Sequence, residues 1–548
     1  MDRFIVKTFI LILCVASLVS CSKNMEPERP TPPASLLALV EAYNGGKIVD
    51  TVSQELEITK ISFSDGSVLN VPFSELRIRD CRKATPPTVG MSPGAESWSV
   101  GGILTGIPYT PDYADNESLA VYAYFDEYTL HIYLSNGNIL VFKSRWEELK
   151  RRRVLPVVKL YTDSAVTSKE NYVNGRIEIS DSEGLYGSTD LFTAPMKIRG
   201  RGNSTWGMPK KPYKIKLESK ASILGMPADK EWALLANYAD KTLLRNVVAM
   251  ELSRICGFSW TPRMVSVEVY MNDSYQGVYT FCEHKKVSPA RVNIDVVGED
   301  DNDSESITGG YYLEIEQNMD ETTCFYTSMG VPMMFSDPEI PTAAQLEYIK
   351  NLFNDYENAL RNANYSDTGN GCFAYIDEKS FIDNYIVQEL TKNIDGNLRK
   401  STFLTKEKGK KLEMYHLWDF DLTLGNCDYF QSEVGGGLDN SHTGFFIRNY
   451  SSNGKNTGWY YQMFKDKDFT AKVRARWDEL MPQLLQIPDF IREQAFILED
   501  AQKRNFKKWD ILGTYVWPNA KVLGTYDAEV NYLIDFYSAR LEWLDARM

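Results

Sequence analysis

Apolar and polar residues alternate through two stretches near the start of the chain, ITKISFSDGSVLNVPF (58–73) and LHIYLSNGNILVFKS (130–144). A period of two predicts half-buried strands, and Asp65-Gly66 and Asn136-Gly137 stand where a tight hairpin turn needs positive φ. Residues 35–152 are therefore predicted to form a small β-rich domain. A short helix is expected at 35–43, and a basic helix-prone segment, WEELKRRRV, leads to Pro156. From there the pattern becomes mixed. Strands are predicted at 156–161, 174–180, 194–200, 211–218, 264–271 and 275–283, and helices at 241–256, 342–362 and 377–393. Beyond Trp459, apolar residues recur at helical spacing over 468–485, 487–504 and 527–546. The fold class is α+β, with a large second domain over 153–548.

The first 21 residues have a different character. Arg3 and Lys7 precede the apolar run FILILCVASLVS (9–20), which is too short to span a bilayer and ends at Leu18-Val19-Ser20-Cys21. Small residues before a cysteine have the form of a lipobox, so 1–21 is expected to be a lipoprotein signal with Cys21 as the lipidated residue. The polar, proline-rich stretch 22–34 then serves as a tether. The expected location is the bacterial cell envelope, periplasm-facing or at the cell surface, with the membrane contacted only through the anchor.

Composition narrows the chemistry. With 60 Lys+Arg against 74 Asp+Glu the net charge is −14, which argues against a nucleic-acid partner. Four histidines argue against a His-rich metal site, and no CxxC occurs that would mark a zinc ribbon or a thioredoxin-type centre. The acidic run at 298–305 lacks the glycine that a calcium-binding EF-hand loop requires.

Four segments place polar residues where a plain core would not. In RGRGNSTW (199–206) followed by KKPYKIKL (210–217), a glycine-rich turn precedes a strand with alternating lysines. Gly200, Gly202 and Gly207 allow main-chain N–H groups to approach an anion, while Arg199, Arg201, Lys214 and Lys216 supply positive charge. In LLANYADKTLLRN (234–246), Asp240 or Thr242 can cap a helix whose first turns hold Arg245 and Asn246. GVYTFCEHKK (277–286) is a strand ending in a charged cluster that begins at Glu283. FIDNYIVQEL (381–390) runs into Asn393-Ile394-Asp395, and WDFDLTLGN (418–426) carries Asp419 and Asp421, expected to leave a strand on one face. Carboxylates grouped in this way bind hard cations or act as acid and base.

In this order the segments, together with GGYYLEIE (309–316), RARWDEL (474–480) and ARLEWLD (539–545), resemble the CotH kinase family of atypical kinases. The resemblance implies a two-lobed, atypical protein-kinase-like domain after the small β-rich domain. It also implies ATP and Mg²⁺ or Mn²⁺ as cofactors, and transfer of the γ-phosphate to Ser or Thr of a protein. Asp395 would be the catalytic acid that orients the acceptor hydroxyl, and Asp419 the metal ligand, with Asp421 sharing that task. Lys214 or Lys216 would contact phosphate, the two pointing the same way along the strand. Arg199, Arg201 and Ser204 would line the phosphate side, and Glu283 would stand beside adenine. Arg245 and Asn246 would support the site without touching the nucleotide.

The chain also departs from ordinary kinases. There is no GxGxxG, VAIK or HRD, and Lys400 stands where an Asn would follow the catalytic acid, with Asn426 a substitute. The alternative function is a catalytically inactive, kinase-like surface lipoprotein acting as an adhesion, scaffold or binding module. A glycan hydrolase using paired carboxylates is a third possibility.

Overall fold

The computed structural model describes strand and helix segments from residue 49 to 152 and nearly every residue beyond, except 366, 368, 397, 430–439 and 450–457. The expected signal, anchor, tether and first helix lie outside the described residues. The chain divides into two compact units, with the break between Arg151 and Arg152.

The first unit is β-rich. Strands β1 (Val49–Glu55), β2 (Ile58–Phe63) and β3 (Val68–Pro72) form one antiparallel sheet. Ser62 pairs with Val68 across the expected turn, where Gly66 has φ +81°. Strands β4 (Val89–Met91), β5 (Ser97–Val100) and β6 (Ile103–Pro108) form a second sheet. Strands β7 (Ala120–Asp126), β8 (Thr129–Leu134) and β9 (Ile139–Lys143) form a third, with Tyr133 opposite Ile139 at the second predicted hairpin. Helix Arg145–Arg152 follows.

The second unit opens with a closed seven-stranded barrel. Its strands are β10 (Val157–Thr162), β11 (Val173–Ser180), β12 (Phe192–Gly200), β13 (Tyr213–Ile223), β14 (Met226–Leu235), β15 (Met264–Met271) and β16 (Ser274–Glu283). They run antiparallel in the order β10-β11-β12-β13-β14-β16-β15 and close through a parallel pairing of β15 with β10. Closure removes the exposed edge that an open sheet would have to protect. The interior is filled by Val158, Leu160, Ile198, Ile215, Trp232 and Phe281, all buried. Along β13 the alternation Tyr213, Ile215, Leu217 inward sends Lys214 and Lys216 outward.

Strand β14 is absent from the sequence expectation because the polar stretch Pro227–Glu231 breaks its apolar pattern; the pairing with β13 and β16 makes it a strand. A further sheet has the order β18 (Cys324–Tyr326), β19 (Pro332–Asp337), β17 (Tyr311–Ile315), β20 (Thr402–Lys406) and β21 (Leu412–His416). The outer face of the barrel, through Ala233 and Cys282, shares a small core with Tyr312, Phe403 and Trp418. That core joins the barrel to the acid-bearing segments.

Helices supply the rest. Ala343–Arg361 starts with a capping box made by Thr342 and Gln345. Glu378–Thr391 is capped by Asp377 and ends at Lys392 in a left-handed conformation; every residue from Phe381 to Thr391 is buried. Lys467–Leu484, Ile487–Ile497, Glu499–Lys508 and Tyr526–Asp545 complete the unit. The single helix expected at 487–504 is two, divided at Leu498. The helix expected from 241 begins at Arg245, because Asp240 and Thr242 are spent on the preceding turn. Among the described residues no helix is long and apolar enough to cross a membrane.

Candidate active site

The basic side of the site grows from the glycine-rich turn after β12. Gly200 lies under the Trp206 ring, where a Cβ would come within 2.5 Å of ring carbons, and Gly202 takes φ +82°. The turn is tied down by main-chain bonds, Gly200 N–H to Ser168 O and Arg201 N–H to Pro212 O. These two amides therefore serve the turn itself. Ser204 is exposed in the short 3₁₀ turn Ser204–Gly207. Arg199 donates to Lys169 O at 2.7 Å and stacks over Tyr172, so part of its guanidinium is committed to the neighbouring loop. Arg201 lies over the Trp418 ring at 5.4 Å.

Lys214 and Lys216 are distinguished by their depth. Lys214 is 15% exposed and pairs with Glu231 at 2.8 Å, whereas Lys216 is 48% exposed and lies 3.6 Å from the same carboxylate. Burial lowers the Lys214 pKa, its bond to Glu231 works against that, and Arg199 and Lys216 lower it further. Burial alone would raise the Glu231 carboxyl; the bond to Lys214 holds it below its ordinary value. Beside this pair stands His284, held well below its ordinary pKa by burial and then by the charges of Lys214 and Arg201. Its ring is 6.5 Å from that of Trp418.

Glu283 turns away from this cluster. It is fully buried, its carboxylate accepts from Arg263 N and pairs with the Arg263 and Arg291 guanidinium groups, and its own N–H goes to Arg263 O. The Glu283 carboxylate is thereby engaged within the fold.

The acidic side forms where two chain segments meet. Asp395 follows the buried helix Glu378–Thr391, in a loop where Asn393 Oδ1 accepts its N–H at 3.1 Å and Lys400 N–H bonds back to its carbonyl. Gly396 is pressed against Gln388, where a Cβ would clash at 1.9 Å. Asp419 and Asp421 do not leave a strand in register as expected. Strand β21 stops at His416, Asp419 takes φ +66°, and the segment turns there. A left-handed aspartate costs about 1 kcal/mol relative to ordinary backbone and persists only where its surroundings impose it. Asp419 is exposed and Asp421 half-buried. The Asp421 carboxyl is pushed well above its ordinary value, first by loss of solvent and then by the negative charges of Asp419, Asp395 and Asp240. The three predicted acids are thus electrostatic neighbours.

Arg245 and Asn246 are buried. Arg245 pairs with Asp240 at 2.6 Å. The Asn426 amide is occupied: it donates to Ala239 O and Asp421 O and accepts from Asn519. The sequence expectation omitted Glu231, His284, Trp418 and Tyr429. Burial raises the Tyr429 phenol, and Asp395 raises it further. His284 and Trp418 lie inside quoted segments, but only their approach across the fold sets them beside Lys214 and Arg201.

Among the described residues, no group of three or more His, Cys, Asp or Glu side chains is gathered closely enough to hold a metal by itself. The five described cysteines outside the signal, Cys256, Cys282, Cys324, Cys372 and Cys427, are free thiols.

A model of the family described as CotH kinase protein matches residues 198–544. The chain belongs to the CotH kinase family. The match spans both halves of the site, from the glycine-rich turn through the acid segments to the final helix. Comparison with curated proteins returned no match. Membership of the CotH kinase family supports a kinase-like function.

Proposed function

We propose that this CotH kinase family member transfers the γ-phosphate of ATP to a Ser or Thr hydroxyl of an envelope or surface protein, while anchored to a membrane through a lipid on Cys21. The observation that carries this reading is the meeting of the two sides at Trp418. Arg201 of the glycine-rich turn covers the ring of the residue that immediately precedes Asp419. That contact supports reading the cations suited to phosphate and the acids suited to a metal and a hydroxyl as one site, with the barrel as one lobe of an atypical kinase and the helical half as the other.

Phosphoryl transfer asks mainly for positioning and charge neutralisation. Lys214, held by Glu231, and Arg201 would bind the phosphate oxygens; neutral His284 gives its Nδ1–H to Lys285 O, which leaves Nε2 as an acceptor. Asp395 would accept the proton of the acceptor hydroxyl as the hydroxyl oxygen attacks the γ-phosphorus, the bond from that phosphorus to the β-phosphate oxygen breaks, and ADP leaves with the electron pair. Asp419 and Asp421 suit Mg²⁺ or Mn²⁺, which takes one or two carboxylates and fills its remaining positions with phosphate oxygens and water. The upward push on Asp421 marks an acid cluster that a cation would relieve. A bound cation would supply neutralisation of the charge that develops on the phosphates.

Incubation of the full chain in detergent with γ-labelled ATP and Mg²⁺ or Mn²⁺, beside Asp395→Asn, tests the proposal. Label on the wild type alone supports it. ATP binding without label on either protein, or no ATP binding, favours the second reading: a kinase-like surface module that no longer catalyses. That second reading draws on the engagement of the Asn426 amide, which removes the substitute for a second metal-binding Asn.

A further inference from the structure

The amide of Phe420 lies between the two acids Asp419 and Asp421 and beyond the end of β21, so no strand ladder supplies its acceptor. A buried amide without an acceptor is costly, and this one is satisfied by a side chain: Phe420 N–H donates to Asn246 Oδ1 at 2.8 Å. Asn246 is the second residue of helix Arg245–Cys256 and is buried. Its neighbour grips the other end of the same turn. Arg245 donates from Nε to Thr423 O at 2.9 Å and from Nη2 to Leu424 O at 3.4 Å.

Local helix physics does not account for these two residues. The helix is preceded by Leu244 with no side-chain cap, and neither Arg245 nor Asn246 caps it. A cation in the first turn opposes the helix dipole. Their accounting lies across the fold. Asp240 neutralises Arg245 at 2.6 Å and also accepts from Arg245 N, Thr242 N and Thr242 Oγ1. Two consecutive side chains thus hold one amide and two carbonyls of the turn that carries both acids.

We propose that Asn246 is a positioning residue for phosphoryl transfer: by accepting the Phe420 N–H it fixes the Asp419–Phe420 peptide, and with it the backbone that sets where Asp419 stands relative to Asp421. The consequence for transfer rests on the kinase reading above; the contact itself does not. Loss of that bond would free ψ of Asp419 and φ of Phe420, the torsions that set the two acids relative to one another. Asn246 touches neither nucleotide nor metal in this role.

Hydrogen exchange read by mass spectrometry on the full chain gives the first test. Asn246→Ala should speed exchange in the peptide covering 417–424 about tenfold, the scale of one lost buried hydrogen bond, while strand β13 exchanges as in the wild type. Asn246→Asp keeps an acceptor oxygen at the same reach and should stay within about threefold of the wild type. Unchanged exchange at 417–424 in Asn246→Ala overturns the proposal. If Asn246→Ala exchanges faster everywhere, Asn246→Asp decides: protection of 417–424 supports the contact, and loss of protection overturns it. In the transfer assay, Asn246→Ala should need about tenfold more Mn²⁺ or Mg²⁺ for half-maximal rate, with the KM for ATP within about threefold. Faster exchange with an unchanged metal requirement overturns the positioning role. A wild type that transfers no phosphate defeats the kinase reading, and the exchange arm still decides the contact.

Discussion

Lys214 on β13 and Glu231 on β14 form an ion pair of 2.8 Å on the outer face of the barrel, with both side chains about 15% exposed. The pair is shielded enough to hold its geometry and open enough for a ligand to reach the ammonium. Lys216, two residues along the same strand, lies farther from Glu231 and is half exposed. A screened surface cation contributes little to binding. Lys214→Ala is therefore expected to reduce kcat/KM for ATP about 100-fold, and Lys216→Ala less than about threefold. Steady-state phosphate transfer at varied ATP checks both values. Equal losses would mean that the strand presents a diffuse basic face.

Asp419 combines a left-handed backbone with an exposed carboxylate. Glycine adopts φ +66° without a Cβ penalty, so Asp419→Gly should keep the turn and leave stability within about 1 kcal/mol of the wild type. The same change removes the carboxylate, and metal-supported nucleotide binding should fall at least about tenfold. Thermal unfolding paired with calorimetric titration of ATP, with and without Mg²⁺, separates the two effects. Metal-supported binding that survives in Asp419→Gly would remove this residue from the metal site.

Glu316, just past the end of β17, provides a pH handle. Burial raises its carboxyl from 4.5 to about 7; a main-chain bond from Asn318 opposes the rise, and Glu314 adds to it. The folded protein therefore holds this proton more tightly than the unfolded chain. Stability contributed by protonated Glu316 is fully present below about pH 4.5 and is lost as pH rises towards and through about 7. Glu316→Gln removes the titration. Relative to the wild type it should gain roughly 1–3 kcal/mol between pH 4.5 and pH 8. Urea unfolding of both proteins at several pH values reads that slope, and parallel profiles would refute it.

Glu389 and Arg540 are both fully buried and pair at 2.5 Å. Glu389 also accepts the N–H groups of Phe446 and Arg448, and Arg540 donates to His442 O and Gly444 O. One ion pair thus joins the helix leading to Asp395, the last helix and the segment around 442–448. Arg540→Ala leaves a buried carboxylate without its cation and should cost about 3–5 kcal/mol in chemical unfolding. Replacing both partners, Glu389→Gln with Arg540→Met, should recover part of that loss, because the pair itself bears a desolvation cost.

Much of the organisation was legible in the one-dimensional pattern. The alternation around Asp65-Gly66 became a hairpin because positive φ at a turn is a local demand that Gly66 meets, and the alternation on either side of Asn136-Gly137 became the paired strands β8 and β9. Helix Glu378–Thr391 was legible too, since its cap at Asp377 and the recurrence of apolar Phe381, Ile382, Tyr385, Ile386 and Leu390 at helical spacing are local signals. Strand β14 was not, because polar Pro227–Glu231 breaks its apolar pattern and its strand character comes from pairing with β13 on one side and the distant β16 on the other. Glu231 was hidden as the partner of Lys214 with it. The supposed common face of Asp419 and Asp421 failed because strand periodicity was carried past His416, where the backbone turns left-handed.

The sequence by itself determined the residue types, the order of the segments and the family they belong to, because glycine at turns, caps at helix starts and alternating strands act over a few neighbours. Tertiary structure alone decided which lysine is sheltered, that Glu283 is consumed by Arg263 and Arg291, and that Asn246 reaches the amide between two acids. Those outcomes depend on desolvation and Coulomb interactions between groups that the chain separates by tens to hundreds of residues. Such interactions gain strength only once the barrel and helices have excluded water from around them.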